Sequence, residues 1–266
     1  MQVLSQFVYP VKSLRGIALP EMALDEFGPA GDRRWMIVDA EGQFVTQRSH
    51  PRLALIHTAI ARGEVVIDVP GLGAHTLEPG HASRPVRVWQ DWVKACDAAG
   101  SASEALSGFI GESLTLVHMP DATFREVKGG RVTERRRVGF ADGFPFLIVN
   151  QASLDDLNSR LDNPVDIRRF RPNLVIEGAQ AWQEDQWRQL RIGEVVFDLV
   201  KPCSRCVMTT VDPDLGTKAT DAQPLRTLGR FRRTPDGVMF GINALHRPDG
   251  VMVRRGDPVE ILQQES

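Results

Sequence analysis

Short apolar stretches separated by polar turn residues dominate the first 95 positions of the chain. They occupy residues 3–10, 34–46, 53–60, 64–69 and 85–95. Runs of this length, bounded by turns such as Arg62-Gly63, are typical of β-strands. Asp39-Ala-Glu-Gly42, between two apolar runs, predicts a hairpin turn. We therefore predict a nearly all-β region with the layout of a barrel or sandwich.

The remaining residues predict more strands and two short helices. The predicted strands are 114–117, 146–149, 174–177, 194–200, 207–211, 251–253 and 259–262. One helix is expected to follow Ser101-Ala-Ser-Glu104 as a capping box, and the other to span Leu154 to Leu161 with Ser153 as its cap. The polar segment 119–140 reads as a loop at a domain junction. The predicted fold is mainly β with a few short helices (α+β), with an N-terminal β-barrel-like domain over 1–122 and a second domain over 123–266.

Composition narrows the possible partners and the compartment. The chain has 266 residues and a formal net charge of −2. This charge gives no reason to expect a nucleic acid or an anionic membrane as partner. No stretch approaches the roughly 18 apolar residues of a membrane span, and the N-terminus lacks the pattern of a signal peptide. The expected location is the cytoplasm.

Two of the three cysteines, Cys203 and Cys206, are separated by only two residues, whereas Cys96 is distant. A structural zinc site would need two further ligands, and no His-x₃₋₅-His pair supplies them. A thioredoxin-like dithiol should begin a helix, but the residues after Cys206 favour a strand. A thiolate on a soft, redox-active metal would be stabilised by the neighbouring Arg205 and Lys201. Two incidental thiols explain the spacing equally well, so the local chemistry leaves these alternatives open.

Basic residues adjoin several predicted strands. They occur in Tyr9-Pro-Val-Lys-Ser13, in Asp32-Arg-Arg34 and in Arg168-Arg-Phe-Arg171. Lysine and arginine in loops at strand ends can converge on a phosphate group. A solvated surface cluster is the alternative interpretation. No glycine-rich motif for a nucleotide phosphate is present.

Five motifs occur in order along nearly the whole chain: Tyr9–Ser13, Gly31–Trp35, Thr46–Arg52, Phe170–Asn173, and Cys203–Cys206 followed by Thr209–Asp214. Together they resemble the MOSC-domain proteins that carry an N-terminal MOSC β-barrel domain, a group that includes the mitochondrial amidoxime-reducing component. The resemblance implies a MOSC β-barrel domain over 123–266. It also implies a molybdenum cofactor, a molybdopterin of the sulfite-oxidase-like type.

The resemblance assigns the site residue by residue. It makes Cys206 the catalytic residue and the molybdenum ligand, with Cys203 close by but not bound to the metal. The residues expected to contact the cofactor are Lys12, Ser13, Arg33, Arg171, Asn173, Ser204, Arg205, Cys206 and Asn243. The family's mitochondrial members have a tyrosine near the position of Asn243, so this contact departs from the family pattern.

The function implied by the resemblance is reduction of N-hydroxylated compounds, such as hydroxylamines, amidoximes and N-hydroxylated bases. Because no flavin or iron–sulfur motif is present, electrons are expected from a separate donor that is ferredoxin-, flavodoxin- or cytochrome b5-like with a reductase. Two alternatives remain at this point. One is a cysteine-persulfide sulfur carrier for metal–sulfur or cofactor assembly, and the other is a β-barrel binding module with incidental cysteines.

Overall fold

The computed structural model describes residues 1–132, 134–248 and 251–265. Within them, the chain forms eighteen β-strands and three α-helices. None of the described helices is long and apolar enough to cross a membrane. The helices are α1 (Ala102–Ile110), α2 (Gln151–Asn158) and α3 (Leu225–Phe231). In chain order the strands are β1 (Gln2–Val8), β2 (Ile17–Ala18), β3 (Glu21–Asp25), β4 (Gly28–Pro29), β5 (Trp35–Val38), β6 (His57–Ala61), β7 (Glu64–Val69), β8 (Gly73–Val88), β9 (Asp91–Ala99), β10 (Thr115–His118), β11 (Phe146–Asn150), β12 (Leu174–Glu177), β13 (Trp187–Ile192), β14 (Val195–Arg205), β15 (Arg233–Thr234), β16 (Gly237–His246), β17 (Met252–Arg254) and β18 (Val259–Gln264).

The largest sheet joins the first residues of the chain to its second half. Its order is β18-β13-β14-β16-β11-β12-β1-β2, with β15 paired to β16. β1 runs antiparallel to β12, so that Gln2 lies opposite Glu177 and Gln6 opposite Leu174. The loop that follows β1 therefore emerges beside residues from the second half of the chain.

Two smaller sheets complete the fold. A six-stranded sheet has the order β5-β10-β9-β8-β7-β6, and a three-stranded sheet has the order β17-β3-β4. In the described part of the chain each sheet ends in edge strands, so none closes into a ring. The mainly β fold with a few short helices is confirmed. The predicted border between residues 122 and 123 lies in the irregular segment between β10 and β11 and stays a prediction.

Separate apolar cores support the sheets. Phe146, Trp187 and Phe197 belong to the core of the largest sheet, and Ile37 and Leu116 to that of the six-stranded sheet. All five are almost completely buried. Burying a side chain of this size stabilises a fold by about 1.5–3 kcal/mol. The buried cores thus hold both sheets in place, and with them the strand ends from which the connecting loops begin.

The two predicted helices exist, but both predicted caps are wrong. Ser101 precedes α1 with φ −93° and ψ 1°, outside the extended region that an N-cap adopts, and its hydroxyl contacts His75 instead. α2 begins earlier than predicted because Asn150 accepts the capping hydrogen bond from the amide of Ala152. Ser153 lies inside that helix and donates to the Glu184 carboxylate at 2.8 Å.

The predicted strand at 207–211 is also wrong, because Val207–Thr210 forms a 3-10 helix. The hydroxyls of Thr209 and Thr210 donate back to the carbonyl oxygens of Cys206 and Val207, at 3.0 and 2.7 Å. Such local hydrogen bonds compete with strand pairing. A second 3-10 helix, Pro51–Leu55, replaces the first part of the strand predicted at 53–60.

Candidate functional site

An irregularity in β14 sets the positions of the two cysteines. The pairing of β14 with β16 shifts register between Pro202 and Ser204, which places Cys203 at a bulge. Bulges redirect side chains and interrupt pairing. Cys206 follows the strand directly, with φ −128° and ψ −179°, and precedes the 3-10 helix. Both thiols are free and half-buried.

The two thiols have different hydrogen-bond donors. Cys203 Sγ accepts a hydrogen bond from Arg205 Nη1 at 3.0 Å, and its side chain packs against an apolar cluster that includes Phe170. Cys206 Sγ accepts from Arg48 Nε at 3.3 Å. Arg48 comes from the first half of the chain, between β5 and β6, so the contact at Cys206 joins the two halves.

The geometry bears on two of the alternatives for the cysteine pair. In the described ranges, no group of three or more His, Cys, Asp or Glu residues is placed to hold a metal ion, so a structural zinc site lacks its ligand set. The pair also does not begin an α-helix, because Cys203 belongs to β14 and a single 3-10 turn follows Cys206. The arrangement therefore differs from a thioredoxin-like dithiol.

Both cysteines line a cleft of about 390 Å³. Among the described residues that line it, seven are lysine or arginine, whereas Asp142 is the one carboxylate. Clefts of this size are typical of small-molecule sites, and the excess of positive charge favours an anionic ligand. The side chains lining it are those of Lys12, Ser13, Arg33, Arg48, Trp89, Ala141, Asp142, Phe144, Phe146, Leu147, Arg169, Phe170, Arg171, Asn173, Lys201, Pro202, Cys203, Ser204, Arg205, Cys206, Met208 and Asn243, together with the backbone of Gly143.

Arg33, Arg171 and Asn173 line the cleft and are supported from behind by Tyr9 and Asp32. We call these five residues the buried wall. The guanidinium carbons of Arg33 and Arg171 lie 4.3 and 4.2 Å from the centre of the Tyr9 ring. Arg33 donates to Asp32 and, at 3.1 Å, to Asn173 Oδ1. Asn173 Nδ2 donates to the carbonyl oxygen of Phe7 at 3.2 Å. These contacts fix the positions of two cations that line the cleft.

Burial changes the protonation equilibria of this wall. It raises the pKa of Tyr9 to about 12, although the nearby arginines act in the opposite direction. It lowers the pKa of Arg171 to about 10. Burial also raises the pKa of Asp32, opposed by Arg33 and by the backbone amide of Tyr9. With this pKa, Arg171 stays protonated at neutral pH. Its described side-chain hydrogen bond is to the Leu14 carbonyl oxygen at 2.6 Å and not to a carboxylate.

A second group of lining residues, which we call the rim network, consists of Lys12, Arg48, Trp89 and Asp142. Asp142 accepts from Lys12 Nζ at 2.5 Å, from Arg48 Nη2 at 2.9 Å and from Trp89 Nε1 at 3.2 Å. The Arg48 guanidinium also lies over the Trp89 ring, 4.8 Å from its centre. Because Arg48 contacts Cys206 as well, hydrogen bonds connect the thiol through Arg48 and Asp142 to Trp89.

Charge pairing governs the titration of the rim network. Desolvation lowers the pKa of Lys12 to about 8, with Asp142 opposing the change. Partial desolvation acts to raise the pKa of Asp142, whose side chain is still half-exposed, but Lys12 and Arg48 outweigh it and hold that pKa well below its usual range. Burial acts to lower the pKa of Arg48, but Asp142 and the Cys206 sulfur, which both accept hydrogen bonds from it, raise that pKa overall.

Backbone strain concentrates at the cleft. Seven non-glycine residues in the described chain have positive φ, and four of them line the cleft: Ser13, Arg33, Trp89 and Arg171. Their φ values lie between 47° and 71°. Left-handed backbone is unfavourable for residues with a Cβ atom and tends to occur at functional sites. The backbone is also closely packed beside Arg33, because a Cβ atom on Gly139 would lie 2.7 Å from the Arg33 carbonyl oxygen.

All nine residues predicted for the site line this one cleft. Asn243 is opposite Lys201 in the β14–β16 pair, and its Nδ2 approaches the Pro202 carbonyl oxygen at 3.5 Å. The role of each residue in cofactor binding stays a prediction. Three further lining residues, Arg48, Trp89 and Asp142, are not predicted from the sequence. Of these, Arg48 alone lies within a recognised motif, Thr46–Arg52.

The chain thus combines two β-rich halves with a basic cleft that contains a cysteine pair. Comparison with known protein families identifies the class of protein that has this organisation. The family model for the MOSC domain matches residues 135–260, and that for the MOSC N-terminal beta barrel domain matches residues 1–113. The chain belongs to the family of MOSC-domain proteins with this N-terminal domain.

Its relatives include proteins with two kinds of name. Mitochondrial amidoxime-reducing component 1 is 33% identical in Mus musculus and 32% identical in Homo sapiens. These matches cover 97% of this chain and 81% and 82% of the relatives. Molybdenum cofactor sulfurase of Oryza sativa subsp. japonica is 32% identical over 90% of this chain but only 32% of its own length. Among solved structures, YiiM from Geobacillus stearothermophilus gives a TM-score of 0.31 at 13% identity, covering 45% of this chain and 55% of its own, a likeness too slight to add to these relationships.

Proposed function

We propose that this protein is a molybdenum-cofactor-dependent reductase of N-hydroxylated compounds. The observation that carries the proposal is the Cys206 thiol in a cleft with seven basic lining residues and one carboxylate among the residues described. Soft sulfur suits molybdenum, and clustered arginine and lysine suit the phosphate of a pterin cofactor. The amidoxime-reducing names of the relatives support the same chemistry.

The residues of the cleft fit a molybdopterin in charge and in donor supply. Arg205 Nε is buried without a hydrogen-bond acceptor among the described residues, and Lys201 lines the same cleft. A buried donor left unpaired is unfavourable, so the Arg205 guanidinium favours an added acceptor. In the proposal, Arg33, Arg171 and Asn173 hold the phosphate and pterin. The other expected contacts are Lys12, Ser13, Ser204, Arg205 and Asn243.

The chain's own contribution to the reaction is binding and orientation. When bound, the cofactor supplies two-electron removal of an N-bound oxygen, so that an N–OH compound, two electrons and two protons give an N–H compound and water. Cys206 is the proposed metal ligand and the catalytic residue. Arg48 donates a hydrogen bond to the same sulfur, and hydrogen bonds of this kind tune a metal through its ligand.

The electrons come from a separate protein in this proposal. The candidates are a ferredoxin, a flavodoxin, or a cytochrome b5-like protein with its reductase. A cytoplasmic location is part of the same proposal, and the free state of the three cysteines supports it.

The proposal is tested with protein purified from a host that makes the cofactor. Molybdenum per chain and reduction of benzamidoxime by dithionite-reduced methyl viologen are measured for the wild type, Cys206→Ala and Cys203→Ala. We expect near-stoichiometric molybdenum and turnover in the wild type, loss of turnover in Cys206→Ala, and substantial turnover in Cys203→Ala. The reverse ranking of the two variants would refute the ligand assignment.

A cysteine-persulfide sulfur carrier is the second candidate, favoured by the relative named molybdenum cofactor sulfurase. It needs a nucleophilic thiol and no bound molybdenum. Mass spectrometry of the purified chain separates the candidates. Addition of one sulfur atom at Cys203 or Cys206 without molybdenum supports the carrier, and absence of both features supports a binding module.

A further inference from the structure

We infer that Trp89 is the substrate-binding platform of the cleft and selects planar N-hydroxylated compounds over small, non-planar ones. This inference rests on the proposed reductase function and adds a specificity-determining residue to it. Three properties of Trp89 carry it: the position of its ring, its strained backbone, and its connection to Cys206.

Trp89 lines the cleft and is only partly covered by its neighbours. The residue is 39% exposed, and its ring packs against Phe44 at a centroid distance of 5.1 Å. Exposed tryptophan in a concave site offers a flat apolar surface, and planar conjugated groups stack on such rings. The platform therefore fits amidoximes conjugated to an aromatic ring and N-hydroxylated heterocycles.

The backbone at Trp89 is unfavourable for the residue that it carries. Trp89 and Gln90 form the two-residue turn between β8 and β9, where Val88 pairs with Asp91, and Trp89 has φ +57°. Glycine and asparagine adopt this conformation in hairpin turns with little strain, whereas bulky side chains rarely do. Trp89 therefore occupies a turn position whose backbone conformation favours glycine or asparagine. Such strain tends to occur at functional residues.

Hydrogen bonds connect the ring to the proposed reaction centre. Trp89 Nε1 donates to Asp142 Oδ1 at 3.2 Å, Asp142 Oδ2 accepts from Arg48 at 2.9 Å, and Arg48 Nε donates to Cys206 Sγ at 3.3 Å. The Trp89 carbonyl oxygen is held by Arg87 Nε at 2.9 Å. The Arg48 guanidinium covers part of one ring face, 4.8 Å from the ring centre, so a planar group would rest on the part of the ring that is still exposed. It would then lie beside Arg48, which donates to the thiol.

The test compares a planar with a small substrate in the holoenzyme. Benzamidoxime and hydroxylamine are reduced by dithionite-reduced methyl viologen, so no protein donor is involved. In Trp89→Ala we expect the KM for benzamidoxime to rise roughly 5- to 100-fold, the range set by loss of one stacking contact. The preference for benzamidoxime over hydroxylamine should fall by the same factor. Trp89→Phe keeps a ring without the N–H donor and should retain most of the preference.

Trp92 provides the matched control. It belongs to the same hairpin, is 56% exposed, and does not line the cleft. Trp92→Ala should leave both substrates unaffected. Trp89→Asn should lose the preference for benzamidoxime while keeping or raising the thermal midpoint, because asparagine relieves the strain. Equal losses for both substrates in Trp89→Ala, or no loss for either, would overturn the inference.

A binding measurement separates this inference from the proposed function. Benzamide, a neutral planar compound with no N–OH bond, is titrated into the wild type and Trp89→Ala by calorimetry. Weaker binding in Trp89→Ala supports the platform even if the wild type reduces neither substrate, in which case the reductase proposal alone fails. Unchanged benzamide affinity contradicts the platform whatever the activity.

Discussion

The buried wall and the rim network both hold a carboxylate between basic side chains, but in opposite surroundings. The Asp32 side chain is 3% exposed beside Arg33, whereas that of Asp142 is 55% exposed between Lys12 and Arg48. In the buried wall, loss of a partner leaves a charge that water cannot reach. At the rim, water reaches the Asp142 carboxylate and part of Arg48, so the loss of that pair costs less, although Lys12 itself is buried. In the proposed reductase, the buried wall would provide a fixed binding frame, and the rim network would adapt to different substrates.

The largest expected effect contrasts the two carboxylates in stability. Asp32→Asn should lower the free energy of unfolding by about 3 kcal/mol or more, because Arg33 keeps its charge in a buried position. Asp142→Asn, the matched change at the rim, should cost less, about 1–2 kcal/mol, because water reaches Arg48 and the Phe140 carbonyl oxygen still accepts from the buried Lys12 at 2.8 Å. Urea unfolding measured by circular dichroism gives both values. Equal losses would show that the two regions do not differ as we describe.

Cofactor retention should depend on the buried wall. Arg171→Met removes a buried cation whose charged hydrogen bonds are worth about 1.5–3 kcal/mol, so molybdenum and pterin per chain should fall at least about tenfold. Arg168→Met is the control, since Arg168 lies in the same basic segment but pairs with Asp214 outside the cleft. Pterin fluorescence after acid oxidation and metal analysis report the occupancy. Equal occupancy in the two variants would remove Arg171 from the binding frame.

The rim network predicts a dependence of stability on pH. The pKa of Lys12 is about 8 in the folded chain and near 10.5 as its ordinary value. Between these values the unfolded chain binds more protons, so this group makes stability rise with pH, by at most about 1.4 kcal/mol per pH unit. Below about pH 8 its unfavourable contribution is fully present. Unfolding of the wild type and Lys12→Met between about pH 7 and 11 measures the difference, which should grow in favour of the wild type. A constant difference would contradict the assignment.

Cys203 should give the smallest effect. Its side chain packs at the edge of an apolar cluster, so Cys203→Ala should cost about 1 kcal/mol or less and keep substantial benzamidoxime reduction. Cys96→Ala, a change at a cysteine that does not line the cleft, serves as the reference. Loss of turnover in Cys203→Ala alone would give this thiol a direct role.

The same contrast explains what could be predicted from the sequence. Arg33, Arg171 and Asn173 lie in short motifs at strand ends, where local pattern and family resemblance both apply. The rim network is made of contacts between distant positions, since Arg48 meets Asp142 across 94 residues and Cys206 across 158. No local period encodes such contacts. Asp142 in particular lies in an irregular loop, and no motif marks it.

Differences between the predicted and the observed elements have local physical causes. The β-branched side chains at 207–211 predict a strand, but the hydroxyls of Thr209 and Thr210 bond to nearby carbonyl groups and stabilise a 3-10 helix instead. The amide of Val211 closes this turn by donating to the Met208 carbonyl oxygen at 3.1 Å. The turn follows β14 directly, so Cys206 lies at the point where the strand ends and lines the cleft.

The central claim is that the Cys206 sulfur binds molybdenum directly. X-ray absorption at the molybdenum edge, recorded on the purified wild type, Cys206→Ser and Cys203→Ser with cofactor bound, tests it without relying on turnover. We predict one sulfur neighbour fewer around the metal in Cys206→Ser and an unchanged spectrum in Cys203→Ser. An unchanged spectrum in Cys206→Ser, or the loss of a sulfur neighbour in Cys203→Ser, would contradict the claim.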